Sequence, residues 1–378
     1  AIWHFQPDHL LFVSTDKMET SKKSDAIIKS VNLRRGEKYR LGNNAEVLIV
    51  DEASLSNCLR KLDDWVRGKE GESFIINLTG GTKIMSIAVF ELFKNYRNVM
   101  IYIPFPRNEY LELFPLTSPK LATPLADRLK VEEYLCAYGL DVVNMEKVAR
   151  SKKSALKRKD MSSWMVAHYK EIQDVLAFLG NELREPREKK LDKYPFKKEY
   201  DCHHVLESEF LLKIGFRHNE RVYARTLYKD EINYLTGGWL EEYCFHDVHE
   251  LLGKLVDDAV INIQVRNPQG RDNEFDVMFT CRNALYFVEC KSMEQRHLGD
   301  RHTEGFDSFL YKIGALQKEF GLRVKSFLVA NSSLIVQAQT GKIKQSLCER
   351  AEQFNTQIIG PGDVSRFQDI LKNSLIRY

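Results

Sequence analysis

The sequence predicts an α/β protein: two α/β units joined by a helical connector. Three observations carry that expectation. Near-continuous apolar runs alternate with helical patterns from His9 to about Pro115. Prolines, then helical patterns rich in lysine and arginine, take over from there. A second alternation of strands and helices begins near Tyr200. With 378 residues the chain is longer than one ordinary domain, and the expected divisions are 1–117, 118–200 and 201–378.

In the first unit "HLLFVST" reads as a strand, "KKSDAIIKSV" as a helix, "AEVLIVD" as a strand and "LSNCLRKLDDWV" as a helix. "SFIINLT", a Gly-Gly turn, the helix "KIMSIAVFELFK" and the strands "VMIYIPF" and "EYLELFPL" follow. Such strands, apolar on both faces, suit a mostly parallel sheet covered on both sides. The opening "AIWHFQ" reads as the end of a helix. A doubly wound unit opens with a strand, so a strand ahead of Ala1 is expected.

Thr79-Gly80-Gly81-Thr82-Lys83 falls at the carboxyl end of a strand, where such sheets bind ligands. Two glycines let backbone N–H groups approach an anion, and the helix that follows adds its positive end. Lys83 is a cation in a helix's first turn, electrostatically misplaced unless an anion balances it. The plainer reading is a structural turn with Thr82 as the N-cap. Neither G-x-G-x-x-G nor G-x-x-x-x-G-K-[ST] is present, which counts against NAD binding and P-loop hydrolysis.

The connector carries two basic stretches, one from Lys147 to Lys159 that includes Arg158, the other from Arg184 to Lys198. They suit solvated faces, or a track for a phosphate backbone. A net charge of +3 allows the second reading without requiring it. The seven cysteines are scattered and form no C-x-x-C pair, which points to a reducing cytoplasm and away from a zinc ribbon. No apolar run approaches a membrane span, and no secretory signal pattern opens the chain.

In the second unit "GGWLEEYCFHDVHELLGKL" places Leu240, Cys244, Val248, Leu251 and Leu255 at helical period. "NEFDVMFT" and "ALYFVEC" suit a hairpin with Arg282-Asn283 as its two-residue turn. Counting from that turn sets Asp276 opposite Glu289 and Glu274 opposite Lys291. All four charges would then share one face at the open end. Two carboxylates supply the hard oxygen ligands that suit Mg²⁺ or Mn²⁺, and a lysine beside them can orient water or stabilise developing charge. A polar outer face is the bland alternative. Against it, "ALYFVEC" is apolar on both faces, and a buried carboxylate is costly without a partner. His246 and His249 in "HDVHE" read as structural. Tyr311, Lys312 and Gln317 lie on a helix that could border this region, a packing or surface role being equally compatible.

Asp276 followed by Glu289-Cys290-Lys291 resembles the D…E-x-K signature of restriction-endonuclease-like (PD-(D/E)xK) nucleases. The resemblance implies a further carboxylate from an upstream helix, Glu241 the better match and Glu242 the alternative. "NLTGGTKIMS" resembles the ligand turn of CRISPR-associated Rossmann fold (CARF) domains. Together the halves look like the CRISPR ancillary nucleases that answer cyclic oligoadenylate. That resemblance implies a Rossmann-like N-terminal domain, a C-terminal restriction-endonuclease-like domain and a homodimer. It further implies a metal-dependent endonuclease cutting DNA and/or RNA in type III CRISPR antiviral defence, switched on by cyclic oligoadenylate, most often cyclic tetra-adenylate. Asp276 and Glu289 would hold Mg²⁺ or Mn²⁺, with Lys291 and Glu241 completing the catalytic set. Thr79, Gly80, Gly81, Thr82 and Lys83 would contact the activator, with Ser14 and Thr15 as weaker candidates. The rival readings are a ligand-responsive nucleic-acid-binding protein that does not cleave, and a small-molecule enzyme built on the first unit.

Overall fold

Apolar periodicity places the strands of the first unit where the sequence reading put them, but their pairing departs from a mostly parallel sheet. The computed structural model describes residues 1–104, 107–115, 121–292, 302–317, 319–321 and 324–376. Strands β1 (Leu10–Ser14) and β2 (Ala45–Ile49) pair in parallel, Leu10 opposite Ala45. β3 (Phe74–Asn77) and β4 (Asn98–Tyr102) do the same. β5 (Glu109–Phe114) and β6 (Thr123–Pro124) then add antiparallel, giving the order β3-β4-β5-β6. The reason is chain length: a parallel return needs a crossover of a dozen or so residues, and β4 reaches β5 in far fewer.

The two pieces of sheet share one core. Val13 and Leu48 flank it on one side, with Ile76, Met85, Ala88 and Met100 on the other. The helix Leu55–Val66 seals it with Cys58, Leu62 and Val66, one apolar stripe at four-residue spacing. Trp3, Ile28, Val31 and Tyr39 cover the opposite face of β1 and β2, but Ile75 of β3, Tyr102 of β4 and Leu113 of β5 are exposed, so the expected cover on both sides is incomplete.

The first expected boundary, between 117 and 118, lies outside the described residues. From Val131 the chain runs through a short helix, β7 (Asp141–Val142) and the helices Met145–Lys157, Lys159–Ala167, Tyr169–Glu182 and Arg184–Glu188. A small antiparallel sheet follows: β8 (Lys193–Glu199), β9 (Arg217–Asn219) and β10 (Val222–Tyr228), with β10 central. It spans residue 200 and has no counterpart in the sequence reading. The first basic stretch does more than face solvent. Lys147 pairs with Glu274 at 2.7 Å, Arg158 with Glu242 and Lys159 with Glu250, tying the connector to the last unit.

The last unit is built on β11 (Asp258–Arg266), β12 (Asp272–Cys281), β13 (Ala284–Lys291), β14 (Val324–Ala330) and β15 (Thr356–Ile359). Its sheet order is β15-β14-β13-β12-β11-β7. β7 through β13 pair antiparallel, β13 through β15 parallel. Alternate residues of β13 enter opposite cores, Leu285 and Phe287 on one side, Tyr286 and Val288 on the other. The helix Trp239–His249 covers the second of these faces.

The segment from Leu125 to Glu133 joins the two α/β units. The buried Glu133 carboxylate takes two bonds from Arg34, at 2.8 and 2.7 Å, and Ser30 Oγ donates to the Glu133 carbonyl at 2.6 Å. Glu133→Ala would leave that guanidinium, about a quarter exposed, with the more distant Asp127 carboxylate at 3.6 Å. The expected loss is about 2 kcal/mol of unfolding free energy, discounted from a fully buried pair for this exposure and read from urea midpoints.

Candidate active site and ligand turn

Arg282 and Asn283 both adopt positive φ (50° and 61°), so the hairpin turn is the two-residue turn the sequence called for. The ladder runs from Cys281 opposite Ala284 to Val277 opposite Val288, then stops. One residue further stand Asp276 and Glu289.

Asp276 occupies a break in both ladders. Every other residue of β12 pairs with β11 or β13. Across from it on β11, Asn262 sits at φ 57°, a conformation asparagine tolerates better than most residues. The alternation of faces slips there. Ala259 and Ile261 enter one core and Ile263 and Val265 the other, and Val277 and Phe275 divide in the same way. Asn144 mends the break, donating to the Asn262 carbonyl at 2.8 Å and accepting from Gln264 N at 2.8 Å. Irregularities of this kind re-aim side chains beside functional sites. Asp276 Oδ2 uses the opening to accept the backbone N–H of Cys290 at 2.7 Å. The slip corrects the expectation for Glu274, which pairs at the surface with Lys147 rather than joining Lys291.

Glu241, Asp276, Glu289 and Lys291 are brought together. Lys291 Nζ donates to Glu289 Oε1 at 2.8 Å and lies 4.2 Å from the centroid of the Phe309 ring. Burial, then the charges of Glu241 and Glu289, push the Asp276 carboxyl well above its usual range, against Lys291 and the Cys290 N–H. Glu241 is pushed up to about 7 by burial first, with Lys291 and Arg187 opposing and Glu289 assisting. Burial pulls the Lys291 ammonium down, but Glu289 and Asp276 outweigh it and its pKa ends raised. Lys291 therefore stays charged at neutral pH and can donate a hydrogen bond, not abstract a proton.

The local fold also separates the two glutamates. A π-helical turn, Tyr234–Gly238, precedes the helix Trp239–His249. Such turns recur at functional sites. Gly237 has φ 143°, and a β-carbon there would lie 2.9 Å from Ser292 Oγ, so the turn approaches the residue after Lys291 as only glycine allows. Glu241 then joins the cluster, while the buried Glu242 takes two bonds from Arg158. His246 and His249 have structural surroundings, burial holding the His246 imidazole down at about 4.

Two contributors escaped the sequence reading. Arg187 donates to the Thr236 carbonyl of the π turn at 2.9 Å and faces Glu241, though it lies some fifty positions upstream in the connector. Phe309, rather than Tyr311 or Gln317, meets the cluster from its helix among the described side chains. Tyr311 packs on Phe354 and Gln317 bonds Ser326, and the Lys312 side chain lies outside the described residues. No spacing marked either residue.

At the other site, Thr79–Lys83 is exposed at the carboxyl end of β3. Thr82 caps the helix Lys83–Phe93 by accepting Met85 N at 3.2 Å, and it also donates to the Glu52 carbonyl. Thr79 Oγ1 accepts Ile103 N at 2.8 Å. Both hydroxyls thus already hold the turn. Among the described residues, no bond engages the backbone N–H of Gly80, Gly81, Thr82 or Lys83, or the Lys83 ammonium. Gly81 has φ 80°, which a side chain would strain. Ser14 and Thr15, at the end of β1, are occupied locally. Ser14 bonds Glu19, and Thr15 caps the helix Asp16–Thr20. No hydrogen bond joins them to the Gly turn among the described residues.

No described helix is long and apolar enough to cross a membrane. Residues 3–134 match the family described as the Card1 CARF domain, and residues 228–378 match the Card1-like endonuclease domain. Among solved structures, protein VC1899 from Vibrio cholerae is similar with a TM-score of 0.76 and 18% identity, over 97% of this chain and 91% of that one. Can2 from Sulfobacillus thermosulfidooxidans, solved in complex with cyclic tetra-adenylate (cA4), is similar with a TM-score of 0.71 and 18% identity, over 98% and 91%. At that identity the likeness is one of fold. No curated protein sequence matches the chain.

The raised Glu241 carboxyl fixes the sign of a pH effect. Its proton is held more tightly in the fold than in the unfolded chain. The stability this contributes is full below about 4.5 and lost as pH rises to about 7. In metal-free buffer the urea midpoint should therefore fall between about pH 5 and about pH 8, and Glu241→Gln should reduce the fall. An equal fall in the variant would show that Glu241 is not the group responsible.

Proposed function

Since the chain belongs to the Card1 family, its CARF domain joined to a Card1-like endonuclease domain, we propose that a cyclic oligoadenylate on the first domain switches on metal-dependent phosphodiester cleavage by the second. One observation carries the cleavage half of this reading. Glu241, Asp276 and Glu289 gather with the buried Lys291 at a break in the sheet, where the charges of Glu241 and Glu289 disfavour ionisation of Asp276 and that of Glu289 disfavours ionisation of Glu241. Such an arrangement is unstable for folding alone and suits a bound cation.

Among the described residues no three His, Cys, Asp or Glu side chains converge closely enough to hold a metal by themselves. That fits Mg²⁺ or Mn²⁺, which bind through one or two carboxylates and keep water or phosphate as further ligands. Asp276 and Glu289 would hold the ion. When bound, it supplies polarisation of the scissile phosphate and a lowered pKa for attacking water. The chain's own residues do the rest. Lys291, kept charged and steadied by Glu289 and Phe309, donates to the attacking water or to the oxygen on which negative charge grows. Glu241, near neutrality, can accept or return a proton there.

For the sensor half, the open N–H groups of Gly80 and Gly81, the helix N-terminus and Lys83 make an anion site suited to a phosphate of the activator. The complex of Can2 with cyclic tetra-adenylate supports that ligand for this chain too. Pairing of two such domains in a homodimer is part of the same reading and rests on the family match alone.

The test incubates the chain with Mn²⁺ and either supercoiled plasmid or single-stranded RNA, with and without cyclic tetra-adenylate. Cutting of at least one substrate should require both metal and activator, and Glu289→Ala or Lys291→Ala should lower it about a hundredfold or more. Equal cutting by Glu289→Ala would overturn the assignment. Lys83→Glu should weaken activator binding by about tenfold or more in calorimetry, since it reverses the charge at the helix N-terminus.

A further inference from the structure

The β12–β13 hairpin has its charged residues at one end and its turn at the other, and the turn is held by the sensor domain. Asn283 accepts Leu129 N at 2.7 Å and donates to Asn108 Oδ1 at 2.6 Å and to the Asp127 carbonyl at 3.0 Å. These partners lie 154 to 175 positions upstream. Asn108 is buried, and its own amide donates to the Leu125 carbonyl at 2.9 Å. Thr280, two residues before the turn, donates to the Leu129 carbonyl at 2.6 Å.

On the sensor side the same place meets the ligand turn. A cavity of about 340 Å³ is walled by Asn77, Thr79, Ile103 and Asn108, and by Asn283 itself. Thr79 Oγ1 holds Ile103 N just past β4, Asn108 stands just before β5, and the two strands pair through Tyr102 and Leu111. The turn expected to bind the activator and the turn of the catalytic hairpin thus share the walls of one cavity.

We infer that Asn283 is the positioning residue through which the sensor domain sets the catalytic hairpin, so that activator at Thr79–Lys83 acts on Asp276, Glu289 and Lys291 through its amide. This rests on the ligand-gated reading above. The continuous ladder from the turn to Val277 and Val288 is five pairs, roughly 17 Å of stiff hairpin. A small shift where Asn108 and Leu129 grip the turn reaches the far end, where the ladder stops and Asp276 is held by one hydrogen bond to Cys290. Coupling of this kind needs contacts that differ between two states, and the Asn283 amide supplies three that cross the domain boundary.

Two full-length variants separate coupling from folding. Asn283→Gly keeps a residue that adopts positive φ freely and removes the amide, while Asn108→Ala leaves the hairpin turn untouched. Affinity for cyclic tetra-adenylate is measured by calorimetry, and exchange of the 276–291 amides and cleavage with Mn²⁺ are followed with and without it. Both variants should bind the activator within about threefold of the unaltered chain. Their activator-induced change in hairpin exchange should be lost, and the ratio of stimulated to unstimulated cutting should drop by about tenfold or more. Unchanged stimulation in both variants would overturn this inference alone. Failure of the unaltered chain to bind cyclic tetra-adenylate would overturn the ligand-gated reading and, with it, this one.

Discussion

Bringing carboxylates together out of water is the constraint around which the last unit is organised. Glu241 and Glu289 disfavour the ionisation of Asp276, and Glu289 that of Glu241, with Lys291, Arg187 and the Cys290 N–H opposing them. A sheet edge could not hold them so, because side chains there would swing into solvent. Instead the strands are central and apolar on both faces, and the rigidity of two cores fixes where the charges point. The energy that the cluster withholds from folding is offset by large fully buried side chains on either side, Phe279, Phe287 and Trp239 among them.

The slip at Asn262 and Asp276 follows from the same constraint. A regular ladder would have sent Asp276 into one of the two apolar cores. By breaking both ladders at one rung, the chain gives the carboxylate a backbone N–H to accept and an opening to face. Asn144 restores the backbone bonding on the far side, so the irregularity does not spread along β11. On the facing helix, successive positions lie about 100° apart, which sends Glu241 to the cluster and Glu242 to Arg158, and the π turn before it brings Gly237 up against Ser292.

This distinction marks what the sequence could disclose. The hairpin, its two-residue turn and the pairing of Cys281 with Ala284 were legible because turn chemistry and period-two alternation are local. The slip was not, since nothing in "VINIQ" or "EFDVM" announces that the face changes at Asn262. Glu274 was accordingly placed in the cluster, and the structure gives it to Lys147. Arg187 and Phe309 reach the site from distant segments, and contacts of that range leave no spacing to read. In the first domain the Gly turn was visible as a turn. The commitment of Thr79 and Thr82 to Ile103 and Glu52 was hidden, because those partners come from other strands' ends.

The wedge from Leu125 to Glu133 shows why the two domains behave as one object. Glu133 is bonded to Arg34 and Ser30 of a sensor helix, while Val131 N donates to Asp258 Oδ2 of β11 at 3.0 Å. Arg128 pairs with Asp257, the residue just before β11, at 3.6 Å. This nine-residue segment therefore makes polar contacts to both sides, with the hairpin turn among its partners. A linker that only tethered two domains would leave its backbone groups to water. One whose N–H and carbonyl groups are spent on both neighbours cannot move relative to either without breaking buried hydrogen bonds. A displacement of the sensor domain must then either break those bonds or be passed to β11 and β12, the two strands whose pairing is interrupted at Asp276.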